Sequence, residues 1–298
     1  MNSPVVVGVD GSPTSYAAAG YAARIADQRG RPLHLVHGYL HPLGYGVGIN
    51  PYDLGVPAPT RAAVEMLESA AEQLRSRWPG LEVETRQVAG GPAASLIDES
   101  RRAGLLVVGT RGVGGFKGLL LGSVSTQVAG HSRCPVFVVR PAEGEELPYD
   151  GPVLVGVDGS THSRLAVAHG AQEAMHRGGV LRLVNAYAIN TSPMLSFPPE
   201  GLQEYEVALR DNATGVLREA AAVVRHDHPE LTIEEHVVAG ANPAQDLVEA
   251  TRGAALAVVG SRGHGGFVGM LLGSISQALV QHAHCPVLVA HGTLPDQE

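Results

Sequence analysis

The residues with the clearest chemical potential lie in two glycine-rich segments. The first is Gly109-Thr-Arg-Gly112-Val-Gly-Gly115-Phe-Lys-Gly-Leu-Leu-Leu-Gly122-Ser123. The second is Gly260-Ser-Arg-Gly263-His-Gly-Gly266-Phe-Val-Gly-Met-Leu-Leu-Gly273-Ser274. Both read G-x2-G-x9-G-S, and each follows a strand-like run and precedes a helical one. Gly109 and Gly260 stand where a strand ends and a ligand must come close. Gly112 and Gly263 can take φ > 0 and expose N–H groups. Gly122-Ser123 and Gly273-Ser274 sit at a helix start, whose free N–H donors and positive dipole end favour an anion. The hydroxyls of Ser123 and Ser274 add donors, and Val124-Ser125 and Ile275-Ser276 continue the first turn. The chemistry this suits is capture of phosphate by backbone amides. One such loop is weak grounds for a site; two with identical spacing and context are strong grounds. Arg111 and Arg262 either lend charge to the phosphates or point to solvent. The twin positions Val113 and His264 differ between the loops.

These loops are not the common P-loop, which ends in Gly-Lys-Ser/Thr. Nor does a G-x-G-x-x-G fingerprint follow the first strand. Signatures of ATP pyrophosphatases and nucleotidyl transferases are absent too. The acids placed to act beside the loops are Asp10 and Asp158, each in a Val-Gly-Val-Asp-Gly-Ser segment. Each could contact a ligand, form an Asx turn or cap a helix, and these roles can coexist. His34 and His37 point to opposite faces of a strand and cannot share a metal. His282 and His284 precede Cys285 without a ligand set around them, so no metal site is expected. Cys134 and Cys285 each precede Pro-Val and read as small buried residues, not a disulfide.

The elements that must position these residues occur twice. Val5-Val-Val-Gly-Val-Asp-Gly-Ser12 returns as Val153-Leu-Val-Gly-Val-Asp-Gly-Ser160, and Cys134-Pro-Val returns as Cys285-Pro-Val. A whole domain is duplicated. The expected domains are 1–141 and 152–298, joined by an acidic, proline-flanked linker over 142–151. In the first half strands are expected at Val5–Val9, Leu33–His37, Val83–Val88, Leu105–Val108 and Val136–Val139. Helices are expected from Pro13 to near Gly30, over Thr60–Trp78, from Pro92 to Ala103, and over Ser123–His131. Loops rich in Gly and Pro (Gly38–Pro59) or in Thr, Ser, Met and Phe (Ile189–Glu200) separate the second strand of each half from the next helix. The alternation predicts an α/β fold: two tandem doubly wound five-stranded parallel sheets flanked by helices, with strand order 3-2-1-4-5 in each. Ligands of such sheets bind at the carboxyl ends of the strands, where the order reverses. Both suggestive segments fall there.

Composition narrows the partners. The net charge is −8 over 298 residues, and Lys117 is the only lysine. Without a basic patch, nucleic acid is not an expected partner. A small anion remains compatible, because amides bind it without net charge. No stretch is long and apolar enough to span a membrane, and no signal peptide is read, so a cytoplasmic protein is expected.

The paired loops, the Val-Gly-Val-Asp-Gly-Ser segments and the Cys-Pro-Val strands together resemble the ATP-binding branch of the universal stress protein family, over nearly the whole chain. That resemblance implies two ATP sites per chain, with Mg2+. It implies that Asp10 and Asp158 lie beside the adenosine, with backbone near Gly8 and Gly156 lining the same crevice. Gly38 and Ala186 would meet adenine through their backbones. Gly109, Gly112, Gly115, Gly122 and Ser123 would hold the phosphates, with Gly260, Gly263, Gly266, Gly273 and Ser274 as their counterparts. It further implies a homodimer or internal pseudo-dimer through the last strands, a regulatory protein partner, and a role in stress survival or growth arrest. The expected function is a nucleotide-occupancy sensor without catalytic residues, not an enzyme beyond slow ATP hydrolysis. Two alternatives stay open: a slow ATPase or phosphotransferase, and a ligand-free interaction scaffold.

Overall fold

Val5, Val6 and Val7 have no solvent exposure at all. A run of β-branched residues with no polar alternation can be satisfied only by a strand covered on both faces. The computed structural model, which describes residues 3–39, 60–112, 121–141, 147–189, 199–263 and 271–292, places it so. The chain divides into two compact units, 1–145 and 146–298.

In the first unit the order is β1 (Val5–Gly8), α1 (Pro13–Gln28), β2 (Leu33–Tyr39), α2 (Arg61–Arg77), β3 (Val83–Ala89), α3 (Pro92–Glu99), β4 (Leu105–Gly109), α4 (Ser123–His131) and β5 (Val136–Val139). Its strands pair in parallel in the order β3-β2-β1-β4-β5. The second unit repeats this with β6 (Val153–Gly156), α5 (Thr161–Arg177), β7 (Leu181–Ala188), α6 (Pro199–Asp227), β8 (Ile233–Gly240), α7 (Pro243–Ala250), β9 (Leu256–Gly260), α8 (Ser274–His282) and β10 (Val287–Ala290). Its order, β8-β7-β6-β9-β10, is the same one. The expected 3-2-1-4-5 topology is therefore present in each unit. The chain leaves β1 toward β2 and returns on its other side at β4, which opens the crevice.

Local chemistry sets the helix ends. Ser12 caps α1 by accepting from Ser15 N, with Pro13 in the first turn, and Ser160 caps α5 by accepting from Ser163 N. Thr60 caps α2 in the same way. α3 ends at Glu99, short of the expected Ala103. The Ser100 hydroxyl turns back onto the Ile97 carbonyl at 2.6 Å and accepts from Arg133 N at 2.9 Å, which breaks the helical run. α6 begins at Pro199, inside the stretch expected to be a loop. Residues 40–59 and 190–198, the bulk of the two expected loops, lie outside the described residues. Among the described residues no helix is long and apolar enough to cross a membrane.

Candidate functional site

The crevice of the first unit starts at the end of β1. Gly11 there has φ 87°, and Gly159 in the second unit has φ 83°. That left-handed backbone needs glycine, and it turns the chain sharply from strand to helix. Oδ1 of Asp10 accepts from Ser12 N at 3.0 Å, and Oδ1 of Asp158 accepts from Ser160 N at 2.9 Å. One carboxylate oxygen thus makes the Asx turn. The other is turned toward the glycine loop: a Cβ built on Gly112 would run into Oδ2 of Asp10, and one on Gly263 would lie 2.5 Å from Oδ2 of Asp158.

This changes the reading of two glycines. Neither Gly112 nor Gly263 has a left-handed φ. They are required because a side chain would occupy the carboxylate's place, not because the backbone demands φ > 0. Gly109 and Gly260 also have a local cause. A Cβ on Gly109 would meet the Thr14 carbonyl oxygen at 2.8 Å, and one on Gly260 would meet the His162 carbonyl oxygen at 2.7 Å. The first turn of the preceding helix occupies that space. Gly115 and Gly266 lie outside the described residues, as do Val113, Lys117 and His264.

Gly122 and Gly273 are the N-cap residues of α4 and α8, and neither helix has a side-chain cap. The first-turn N–H groups of Ser123, Val124 and Ser125, and of Ser274, Ile275 and Ser276, therefore face out of the helix end. Ser123 and Ser274 are exposed, and Val124 and Ile275 are half-buried. Ser125 and Ser276 are buried, and each hydroxyl donates to the carbonyl of Gly109 or Gly260 at 2.6 Å. Those two hydroxyls are committed to tying helix to strand, which leaves their backbone N–H groups for an anion.

Arg111 and Arg262 are exposed. The Arg111 carbonyl accepts from the Thr14 hydroxyl and, at 3.4 Å, from Ser12. The loop is thereby laced to α1. Arg140, just beyond β5, has its pKa lowered by burial and by the Arg111 charge.

The β2 side of the crevice is tightly packed. A Cβ on Gly8 would press on the Leu96 side chain at 2.8 Å, and one on Gly156 on that of Leu247 at 3.0 Å. A Cβ on Gly38 would lie 2.7 Å from Pro92 Cα, so α3 is seated directly on the end of β2. Ala186, its counterpart, carries that Cβ and is half-buried beside Val238 in the register of β7 and β8.

Two contributors escaped the sequence reading. His37 Nδ1 donates to the Val9 carbonyl at 2.8 Å, and Asn185 Nδ2 donates to the Val157 carbonyl at 2.7 Å. Both brace the residue before the crevice aspartate. A polar residue at the same repeat position in both halves, His in one and Asn in the other, was the available signal. His34 faces elsewhere, with Nε2 3.4 Å from Glu84, so the two histidines do not converge. His284 pairs with Glu249 at 3.7 Å. No cluster of metal-ligating side chains occurs among the described residues. Cys134 and Cys285 are buried and unbridged.

The site is thus an uncapped helix N-terminus, a carboxylate against a bare backbone and a bordering arginine, built once in each unit. An uncapped helix N-terminus of this kind suits an anion such as phosphate, and the cradle is of a kind that a Cβ would fill.

Sequence relationships agree with this architecture. The profile of the universal stress protein family matches residues 1–140 and again 151–291. A universal stress protein of Mycobacterium tuberculosis strain H37Rv is 35% identical over 302 residues, covering 97% of each chain. One from Mycolicibacterium smegmatis is 34% identical over 291 residues, covering 96% of each. Among solved structures, a universal stress protein from Archaeoglobus fulgidus shares the fold with a TM-score of 0.67 at 22% identity, covering 99% of this chain and 97% of its own. With both halves matched and nearly every residue aligned, the chain belongs to the universal stress protein family and carries two of its domains in tandem.

Proposed function

We propose that the chain binds ATP at two sites, one in each unit, and acts as a nucleotide-occupancy sensor in stress survival or growth arrest. One observation carries this reading: in both units a β1-type aspartate aims a carboxylate oxygen at a loop glycine beside an uncapped helix N-terminus. Gly38 and Ala186 would serve the base, Asp10 and Asp158 the ribose, and the amides of α4 and α8 the phosphates. A Mg2+ ion would be held chiefly by the phosphates themselves, with Asp10 or Asp158 as the carboxylate that the described residues bring to each crevice.

The same residues favour a sensor over an enzyme. Asp10 and Asp158 spend one oxygen on the Asx turn and direct the other at a glycine, which suits positioning more than proton transfer. A bound nucleotide stabilises the closed crevice by mass action, and any partner that distinguishes the two states reads occupancy. A cytoplasmic homodimer with a regulatory protein partner is the setting we infer for that output.

The test is mass spectrometry of ligand released from gently purified protein, normalised to chain, followed by calorimetric titration with Mg-ATP. About two ATP per chain is the outcome expected from the paired crevices. Absence of nucleotide together with no heat on titration would sink the reading and leave an interaction scaffold.

A further inference from the structure

Along the carboxyl edge of the first unit the strands run β2, β1, β4, β5. That order sets out Gly38, Asp10, the Gly109–Gly112 turn and Arg140 over about 14 Å, three strand spacings. A nucleotide with its base at Gly38 and its sugar at Asp10 must send its phosphates toward β5. Arg140 stands at that end. It follows Val139, whose carbonyl accepts from Thr110 N at 3.0 Å. Thr110 leads into Arg111, and Arg111 Cα lies 3.7 Å from where a Cβ on Gly122 would sit. The two arginines therefore sit at the ends of adjacent strands, β4 and β5, with Arg111 beside the uncapped first turn of α4. Arg140 is half-buried, and burial, then the Arg111 charge, lowers its pKa. A phosphate bound at the ends of these two strands would meet both guanidinium charges.

A monophosphate is served by the α4 amides alone. The extra charge of a di- or triphosphate lies farther along the same line, where guanidinium groups make short, charge-assisted bonds to phosphate oxygens. The second unit differs at this place. Counting from Cys134-Pro-Val and Cys285-Pro-Val, the residue equivalent to Arg140 is His291. Arg262 keeps the counterpart of Arg111, so at these two positions that unit has one permanent cation where the first has two.

We propose that Arg140, together with Arg111, binds the terminal phosphates of a nucleoside triphosphate in the first unit, and that the second unit, with His291 there, discriminates less between tri- and monophosphate. The proposal rests on the reading that the first unit binds an adenine nucleotide. It makes the two halves unequal sensors: one responsive to the phosphorylation state of the nucleotide, the other to its presence.

The experiment titrates the full chain with ATP and with AMP in a Gly263→Val background, which crowds Asp158 and silences the second site. Arg140→Met and Arg140→Lys are compared with the parent, with thermal melts confirming that each is folded. Loss of the guanidinium should weaken ATP by about tenfold or more and AMP by less than about twofold, with Arg140→Lys between. In the otherwise unmodified chain, His291→Arg should raise the ATP-over-AMP preference of the second site. Equal weakening of ATP and AMP, or no change in either, in folded Arg140→Met would overturn the proposal. Failure of the unmodified chain to bind either nucleotide would overturn the nucleotide reading itself, a result separable from the loss of discrimination.

Discussion

Oδ2 of Asp10 occupies the place that a Cβ on Gly112 would need, and Oδ2 of Asp158 does the same to Gly263. Residues about a hundred positions apart in sequence are thus matched to one another by exclusion of a single carbon. Gly112→Ala should displace the carboxylate from its anchored turn, cost about 1–3 kcal/mol of stability and abolish nucleotide binding in the first unit. Gly122→Ala is the contrast. Its nearest neighbour, the Thr110 carbonyl oxygen, is 3.3 Å away, and the loss of a glycine N-cap costs only about 1 kcal/mol. Urea unfolding and calorimetry of the two variants check this, and similar behaviour of both would refute the steric match.

Gly109→Ala probes the scaffold rather than the ligand. The obstructing atoms are the backbone carbonyl of Thr14, at 2.8 Å and 3.0 Å, which cannot swing aside as a side chain can. Destabilisation of about 1–3 kcal/mol is expected in the absence of any nucleotide. A midpoint in urea unchanged from that of the parent would show that α1 yields.

Arg177 and Glu173 form a pair buried in the second unit, with Nη2 to Oε2 at 3.2 Å and side chains 0% and 4% exposed. Arg177 also donates to the Tyr149 carbonyl at 3.0 Å and stacks on that ring at 4.2 Å, which holds the start of the unit. Removing either partner alone leaves an uncompensated buried charge and should cost about 3–5 kcal/mol, whereas Glu173→Leu with Arg177→Met should recover much of that loss. A double-mutant cycle on unfolding free energy reads the coupling, and additive losses would contradict it.

His34 gives acid sensitivity. Burial, then the Arg86 charge, lowers its pKa from 6.5, outweighing the opposing effects of Glu84, Glu99 and Glu82. The unfolded chain therefore takes up this proton at a higher pH than the folded one. The associated stability is fully present above pH 6.5 and is lost as pH falls through the folded value. His34→Gln should flatten the decline in stability on the acid side relative to the parent. Superimposable pH profiles of the urea midpoint would show that His34 does not set the slope.

Both thiols should be inert in the native protein. Burial pushes Cys134 up to about 11 and Cys285 to about 12, from 9.0, so almost no thiolate exists near neutral pH. Iodoacetamide should label neither cysteine until the chain is unfolded, and should label both in denaturant. The same shift predicts stability that is intact below pH 9.0 and falls as pH rises toward the folded values. Rapid native labelling, read by mass spectrometry, would contradict this environment.

The duplication, the strand runs, the helix starts at Ser12, Thr60 and Ser123 and the family itself were legible in the residue order. Each is a local signal: a repeated string, an apolar run, or a hydroxyl residue or Gly-Ser pair at the start of a helical stretch. Strand order followed as well, because right-handed crossovers leave few ways to lay out β-α repeats. What local signals could not supply was the partner of each crevice glycine. Gly109 answers to Thr14, Gly112 to Asp10, Gly8 to Leu96 and Gly38 to Pro92, and all four partners come from other elements. Nor could they show that the Ser125 hydroxyl is committed to Gly109, that His37 and Asn185 brace the crevice, or that Ser100 ends α3 early. A sequence states that a residue has no side chain or carries a hydroxyl. Only packing decides which atom takes the vacant space and which acceptor the hydroxyl reaches, because these contacts join segments that meet only when the sheet has formed.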